Sequence, residues 1–278
     1  MSDVDCVAFL QWALPRLDMR WRGFRKVHGQ VCKRIKRRMK QLGLEEFSAY
    51  RERLEAEPQE WRVLDGFCHI TVSRFFRDRG VFETVQRHLL PEIARNAERD
   101  GRAARCWSAG CASGEEPYTV KILWDLAIAC SFPGVPLSIV ATDVDEIMLE
   151  RARQGCFETG SLHELPPHFV TEAFDRIGDR FCVRPRHREG VHFLLQDLRS
   201  EMPSGLFDLV LCRNTAFTYF SLCLQKEVFR QILERLRPGG YFAIGKHERL
   251  PEDLPQLVPI DGTQQIFQLS SKAQTRLA

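Results

Sequence analysis

The sequence predicts an α/β fold: a mostly parallel sheet covered by helices on both faces, preceded by a small all-α domain and interrupted by a small antiparallel β insertion. Three observations predict it. Strand-like and helix-like segments alternate from Ala104 onward, residues 1–72 carry only helical periodicity, and a stretch at about 157–195 breaks the alternation with short β-like runs. Alternation at this spacing builds parallel strands joined by helical crossovers, with ligands bound beyond the carboxyl ends of the strands.

In "QVCKRIKRRMKQLGL", Val31, Ile35, Met39 and Leu42 recur at helical spacing, while Lys33, Arg34, Lys36, Arg37 and Lys40 fall mostly on the other faces. Gly43 supplies a stop. "EEFSAYRERLEAEPQEWRVLDGFCHI" reads as two short helices broken near Pro58. The alternation then runs through "ARCWSAG" (strand), "EPYTVKILWDLAIAC" (helix), "LSIVATDVD" (strand), "DEIMLERARQG" (helix) and "FDLVLCRN" (strand). It closes with "LQKEVFRQILERLRPGGYFAIG", a helix, a turn and a strand. Between these, "RFCVRP" and "VHFLLQ" flank a polar loop and are expected to pair within the insertion. The expected division is a helical domain over 1–72 and a catalytic-type α/β domain over 73–278.

A chain of 278 residues with 44% hydrophobic and 28% charged residues can bury a sizeable core. The N-terminus lacks the layout of a secretory signal, and no run approaches the ~18 apolar residues a spanning helix needs. A cytoplasmic protein without membrane insertion is expected. Ten cysteines are scattered from Cys6 to Cys223 with no CxxC pair, and buried free thiols in a reducing compartment are the expectation. Cys106 and Cys111 lie close together, but no His cluster completes a zinc site, so no metal is expected. The net charge of +3 is too small to imply a polyanion partner by itself. Its distribution is local: ten Lys/Arg and no Asp/Glu lie between Arg20 and Lys40.

The stretch "WSAGCASGEEPY", Trp107–Tyr118, lies between a strand and a helix. A Walker loop needs Lys-Ser or Lys-Thr after its last glycine, whereas Gly114 is followed by Glu115 and Glu116, which would repel a triphosphate. A dinucleotide fingerprint is weak because Ala112 stands where the middle glycine would be. A small-residue turn followed by acids suits a cationic ligand with little phosphate. S-Adenosylmethionine fits, with its ammonium, its sulfonium and ribose hydroxyls that bind carboxylates. The second strand ends in Asp143, where such folds place an acid against ribose; alternatively it caps the next helix, a role for which Asp145 is better placed.

"SRFFRD", "WSAGCASGEEPYT", "ATDVD", "FDLVLCRN…YF" and "LRPGGYFAIG", in that order, resemble the CheR-type chemotaxis-receptor methyltransferases over about residues 25–270. The resemblance implies a Rossmann-like, class I S-adenosylmethionine-dependent protein-glutamate O-methyltransferase domain. In that family a helical N-terminal domain precedes the catalytic domain, which carries a small β-subdomain. Carried over by position, it implies cofactor contacts from Thr71, Ser73, Arg77, Ala109, Gly110, Gly114, Glu115 or Glu116, Asp143, Asp197, Leu198, Arg213 and Asn214. Arg77 and Tyr219 match positions beside the transferred methyl. Each has a plainer reading: Arg77 could only bridge Asp78, and Tyr219 could be a core aromatic.

The chain departs from the family's common residues at Thr71, in "NTAFTYF" and in "GKHERLP"; the last two lie where the acceptor would sit. Receptor glutamates are therefore weighed against a small amino-acid-like acceptor, and both against a cofactor-binding module without turnover. For the basic helix, Val31–Leu42, the resemblance implies contact with the acidic helices of a chemoreceptor. The alternatives are a solvated face, or nucleic acid, for which one basic helix without a stacking platform is thin support.

Overall fold

Among the described residues, 3–252, 254–260 and 262–270 in the computed structural model, the elements before the first strand at Ala104 are all helices. The chain divides into two units. One takes the chain up to Ile70 together with Thr218–Gln225; the other takes Thr71–Phe217 and the chain from Lys226 on. A single cut between residues 72 and 73 therefore needs correction, because 218–225 joins the first unit. The reason is backbone pairing: the Arg20 N–H donates to the Tyr219 carbonyl at 2.8 Å, and the Ser221 N–H donates to the Asp18 carbonyl at 2.6 Å.

The first unit contains α1 (Asp3–Ala13), α2 (Trp21–Phe24), α3 (His28–Gln41), α4 (Phe47–Ala56) and α5 (Pro58–Cys68). Val31, Ile35 and Met39 point α3 into a core with Phe9, Phe24, Tyr50, Leu54 and Leu64. Gly43, at φ 70°, ends α3. The Leu44 and Gly43 N–H groups return to the carbonyls of Met39 and Lys40, satisfying groups the helix end leaves open. Pro58 starts α5, where its missing N–H costs nothing.

The basic run on α3 splits by use. Arg34 donates to the carbonyls of Phe67 and His69, capping the end of α5. Arg38 forks onto Glu60 at 2.8 and 3.0 Å, and that buried carboxylate also accepts from the Tyr50 hydroxyl. Arg38 holds Glu60 below the usual carboxylate range. Lys33, Arg37 and Lys40, at i, i+4 and i+7, form an exposed stripe.

The second unit runs through α6 (Arg79–Thr84), α7 (Leu90–Arg99), β1 (Ala104–Ala109), α8 (Glu115–Ala127), β2 (Leu137–Asp143) and α9 (Glu146–Gln154). Next come β3 (Cys156–Glu158), α10 (Pro167–Ala173), β4 (Phe174–Ile177), β5 (Arg180–Val183), β6 (Val191–Leu195) and β7 (Phe207–Leu211). After β7 come α11 (Ala216–Tyr219), α12 (Leu222–Leu233), β8 (Leu236–Ala243), β9 (Leu257–Pro259) and β10 (Ile266–Leu269). The short α11 and the first turn of α12 carry the chain through the 218–225 segment of the first unit.

Seven strands form one sheet in the order β6-β2-β1-β7-β8-β10-β9. The pairs from β6 through β8 are parallel, and β10 is antiparallel to β8 and β9. The chain steps outward from β1 to β2 and β6, then returns to β7 on the other side of β1. In doubly wound folds such a reversal is where ligands bind, beyond the carboxyl ends of the strands. β7 is buried throughout, and so is nearly all of α8 from Glu115 to Trp124, as expected for a helix packed on all sides.

The insertion is a three-stranded antiparallel sheet, β3-β5-β4. Here one expectation is corrected. "VHFLLQ" does not pair with "RFCVRP"; Val191–Leu195 is β6, lying parallel to β2 at the edge of the main sheet. The insertion's sheet therefore ends at Val183. The alternation in β6 reflects a half-covered edge strand, and a period of two does not reveal which neighbour the strand takes.

The free-thiol expectation is also corrected for four cysteines. Cys6 is bonded to Cys32, tying α1 to α3, and Cys156 is bonded to Cys182 across β3 and β5, where the two are register partners. Cys68, Cys106, Cys111 and Cys212 are buried free thiols, and Cys130 and Cys223 are exposed. Burial pushes the thiols of Cys106, Cys111 and Cys212 well up, which makes them poor nucleophiles. No helix among the described residues is long and apolar enough to cross a membrane.

Candidate functional site: a glycine turn, a buried arginine and an acidic cavity

The turn between β1 and α8 alternates into the left-handed region: Gly110 at φ 76°, Ala112 at 47° and Gly114 at 92°. Two glycines take this conformation freely; Ala112 does so at a cost of ~1 kcal/mol. Asp143, at the end of β2, offsets that cost by accepting the Ala112 N–H at 2.8 Å, while the Gly110 and Cys111 N–H groups donate to the Thr142 carbonyl. Asp143 thus shapes the turn, a role the sequence did not announce, and it also accepts from the Asp145 N–H. Asp145 is the cap of α9, accepting from Ile147 and Met148.

Space is as tight as backbone here. A Cβ on Gly110 would lie 2.8 Å from Thr215, and one on Gly114 would lie 2.9 Å from Ala152 Cβ. Gly114→Ala should cost ~1–3 kcal/mol in denaturant unfolding, from left-handed strain and overpacking together. An unchanged midpoint would mean that the turn relaxes freely.

The two adjacent glutamates have different partners. Glu116 accepts from Ser108 Oγ and from Arg213 Nη1, both at 2.8 Å. Arg213, whose side chain is 2% exposed, also donates Nη2 to the Arg77 carbonyl at 2.7 Å and to Asp78 at 2.8 Å, and its guanidinium lies over the Phe82 ring. Through Nη1 and Nη2, Arg213 joins the end of β7 to α8 and to "FFRD". Asp78, weighed in the sequence as a partner for Arg77, pairs with Arg213.

The segment that carries Arg77 is held in a strained form. Phe76 and Asp78 flank it at φ 58° and 62°, both in the left-handed region, and Phe75 and Phe76 are fully buried anchors. Their N–H groups donate to the Ser161 carbonyl and to Thr119 Oγ1. Non-glycine residues in this conformation cluster at functional positions. Between them Arg77 is half-buried and donates Nη1 to the Val72 carbonyl at 2.7 Å.

Glu115 faces a cavity of about 780 Å³ whose walls include Thr71, Ser73, Ser113, Glu146, Glu150, Glu158, Ser161, Arg151 and Arg180. Four carboxylates against two guanidiniums make it a cation-favouring space. The Glu115 carboxylate lies 2.9 and 3.1 Å from Ser113 Oγ, and Ser73 and Ser161 also hydrogen-bond to it. Burial raises its pKa above the ordinary carboxylate value, and these hydroxyls pull it back only in part. A buried carboxylate partnered by hydroxyls fits an ammonium, so the residues present fit the amino-acid part of S-adenosylmethionine. Ser113 and Ser161 were missed in the sequence; their signal is only proximity to a buried acid.

Of the other expected cofactor contacts, Thr71 and Ser73 line this cavity with Glu115, whereas Asp143, Asp197, Leu198, Arg213 and Asn214 do not. Ala109 ends β1, fully buried. Asp197 is forked by Arg199, and Leu198 is buried. Asn214 holds φ 56° just after β7. Tyr219 belongs to the first unit, where its ring packs on Phe24 at 5.0 Å.

Residues 71–266 match the family profile described as "CheR methyltransferase, SAM binding domain", and residues 28–64 match "CheR methyltransferase, all-alpha domain". The chain belongs to the CheR methyltransferase family. Similar relatives include a chemotaxis protein methyltransferase of Listeria monocytogenes, 31% identical, with 68% of this chain and 70% of that one covered. The Pseudomonas putida chemotaxis protein methyltransferase Cher2 is also 31% identical, covering 79% of this chain and 82% of its own. An uncharacterized 104.1 kDa protein of Rhodobacter capsulatus is 34% identical over 80% of this chain, which spans 23% of that protein's length. This CheR-family chain is thus an S-adenosylmethionine-dependent methyltransferase by family, and the acidic, hydroxyl-lined cavity beside its glycine turn is chemically consistent with that cofactor.

Proposed function

We propose that the chain methylates glutamate side chains on the cytoplasmic helices of chemoreceptors, forming methyl esters and S-adenosylhomocysteine, in the cytoplasm. The observation that carries the proposal is the family match joined to a cavity whose buried carboxylate, Glu115, is partnered by hydroxyls. The names of the Listeria and Pseudomonas relatives support the chemotaxis setting.

S-Adenosylmethionine supplies an electrophilic methyl on a sulfonium. The acceptor, with a solution pKa of about 4.3, is already the nucleophile at neutral pH, so the protein needs no general base. What remains is orientation and exclusion of water. In this reading Glu115, with Thr71 and Ser73, takes the amino-acid end of the cofactor. Asp143, Asp197 and Leu198 take the nucleoside, on the glycine turn from Ala109 to Gly114. Arg77 holds a carboxylate through its planar fork.

Labelled-methyl transfer to a receptor cytoplasmic fragment, followed by alkali, tests the proposal. Glutamyl esters release methanol in base; base-stable label, or none on the fragment, would overturn it.

The exposed stripe of Lys33, Arg37 and Lys40 is proposed to steer the acidic receptor helices, since charged faces raise encounter rates in a salt-dependent way. Reversing all three charges should lower receptor methylation about tenfold at low salt and much less at high salt, with S-adenosylhomocysteine affinity unchanged. Equal methylation at low salt would leave the stripe a solvated face.

A further inference from the structure

A second buried acid stands behind the turn after β7. Glu248 is 8% exposed, and its Oε2 accepts two backbone N–H bonds, from Gly245 at 2.6 Å and from Asn214 at 2.9 Å. The Glu248 N–H in turn donates to the Gly245 carbonyl at 3.0 Å, closing a tight loop on itself. Asn214 sits in the left-handed region at φ 56°, a conformation asparagine tolerates better than most non-glycine residues. The asparagine carboxamide lies directly over Gly245, where a Cβ would stand 2.7 Å from Asn214 Oδ1 and 2.9 Å from Glu248 Oε2. One residue further on, Thr215 fills the space over Gly110. Glu248, Asn214, Thr215 and Gly110 therefore form one packed series, from the end of β8 across to the glycine turn after β1.

We infer that Glu248 is a positioning residue: its carboxylate holds the Asn214 turn in the left-handed form that presents the asparagine to the cofactor and seats Thr215 against Gly110. The inference rests on the cofactor contact that the family resemblance implies for Asn214. A carboxylate oxygen is suited to the task, because its lone pairs can accept both N–H groups at once. A glutamine could still offer one carbonyl oxygen to the same two N–H groups, more weakly. An alanine would leave both N–H groups without that acceptor and open a void behind the turn.

Calorimetric titration with S-adenosylhomocysteine tests this on the full chain. Glu248→Ala should weaken binding about tenfold or more, and Glu248→Gln by a smaller factor. If Glu248 acts through the asparagine, the penalty should shrink to within about twofold in an Asn214→Gly background, where the positioned side chain is gone and glycine takes φ 56° without strain. Should the alanine variant fail to fold, Glu248→Gln with and without Asn214→Gly gives the same comparison. Affinity unchanged by both Glu248 variants, or a penalty undiminished beside Asn214→Gly, would overturn the inference. Wild-type protein that fails to bind S-adenosylhomocysteine would instead defeat the cofactor reading itself.

Discussion

Replacing Arg213 by alanine should destabilise the second unit by about 3–5 kcal/mol in denaturant unfolding and abolish methyl transfer. The guanidinium is almost wholly buried and is shared by Glu116, Asp78 and the Arg77 carbonyl. Removing it leaves two carboxylates, 13% and 20% exposed, without the cation that offsets their desolvation. Protonation of one of them would limit the loss, which is why the expected figure stays within the range for broken buried pairs rather than that for isolated buried ions. The second consequence is geometric. Arg77 lies between two left-handed residues, and its carbonyl is tied to Arg213, so its orientation loosens when the tie is cut. Arg213→Lys keeps the charge but not the fork, and should fall between wild type and alanine in both stability and turnover. If Arg213→Ala lost less than ~1 kcal/mol while cofactor affinity collapsed, the residue would be a ligand contact and the internal tie incidental.

Replacing Glu115 by glutamine should weaken S-adenosylhomocysteine binding by about 2–4 kcal/mol, roughly 30- to 1,000-fold, without unfolding the protein. The two effects separate because of the sign of its pKa shift. Burial raises the folded-state pKa of Glu115, so ionising it is harder in the folded protein than in the unfolded chain. Stability is then lost as pH rises from the ordinary carboxylate value through the raised one, and a neutral glutamine escapes that loss. The variant should be at least as stable as wild type at neutral pH. What glutamine lacks is the charge that an ammonium needs once the cavity has excluded water. An affinity within threefold of wild type would show that the cationic end of the cofactor lies elsewhere.

Much of the framework was legible because its signals are local. Gly43 and Pro58 mark helix ends through their own backbone limits, and Val31, Ile35 and Met39 mark a buried face through spacing alone. Asp145 was readable as a cap, since a cap bonds residues two and three positions on. The Gly110–Gly114 turn was readable because small residues between a strand and a helix have few other uses.

What was misread depends on partners distant in sequence. The apolar alternation of Val191–Leu195 does not say whether the strand pairs with a hairpin neighbour or with β2. Cys6 and Cys32, like Cys156 and Cys182, are 26 residues apart, and only the packing of helices or the register of strands brings them together. Residues 218–225 carry no mark that they pair with Asp18 and Arg20. At the site, the doublet of Glu115 and Glu116 suggested a cation but not which acid would meet it. Arg213, 97 residues later, takes Glu116 and leaves Glu115 at the cavity, which is why the proposal assigns the cation to Glu115. Glu248 was hidden in "GKHER" for the same reason, because its two N–H partners include one 34 residues away.

The claim that Glu115 meets the cationic end of S-adenosylmethionine is tested most directly by the pH dependence of S-adenosylhomocysteine affinity, measured calorimetrically for wild type and Glu115→Gln. In free protein the raised pKa leaves Glu115 partly protonated above the ordinary carboxylate value, and a bound ammonium favours its ionised form. Wild-type affinity should therefore climb as pH rises through that window, with proton release on binding, and level off above it, while the glutamine variant stays flat. A wild-type profile as flat as the variant's, with no proton released, would contradict the account.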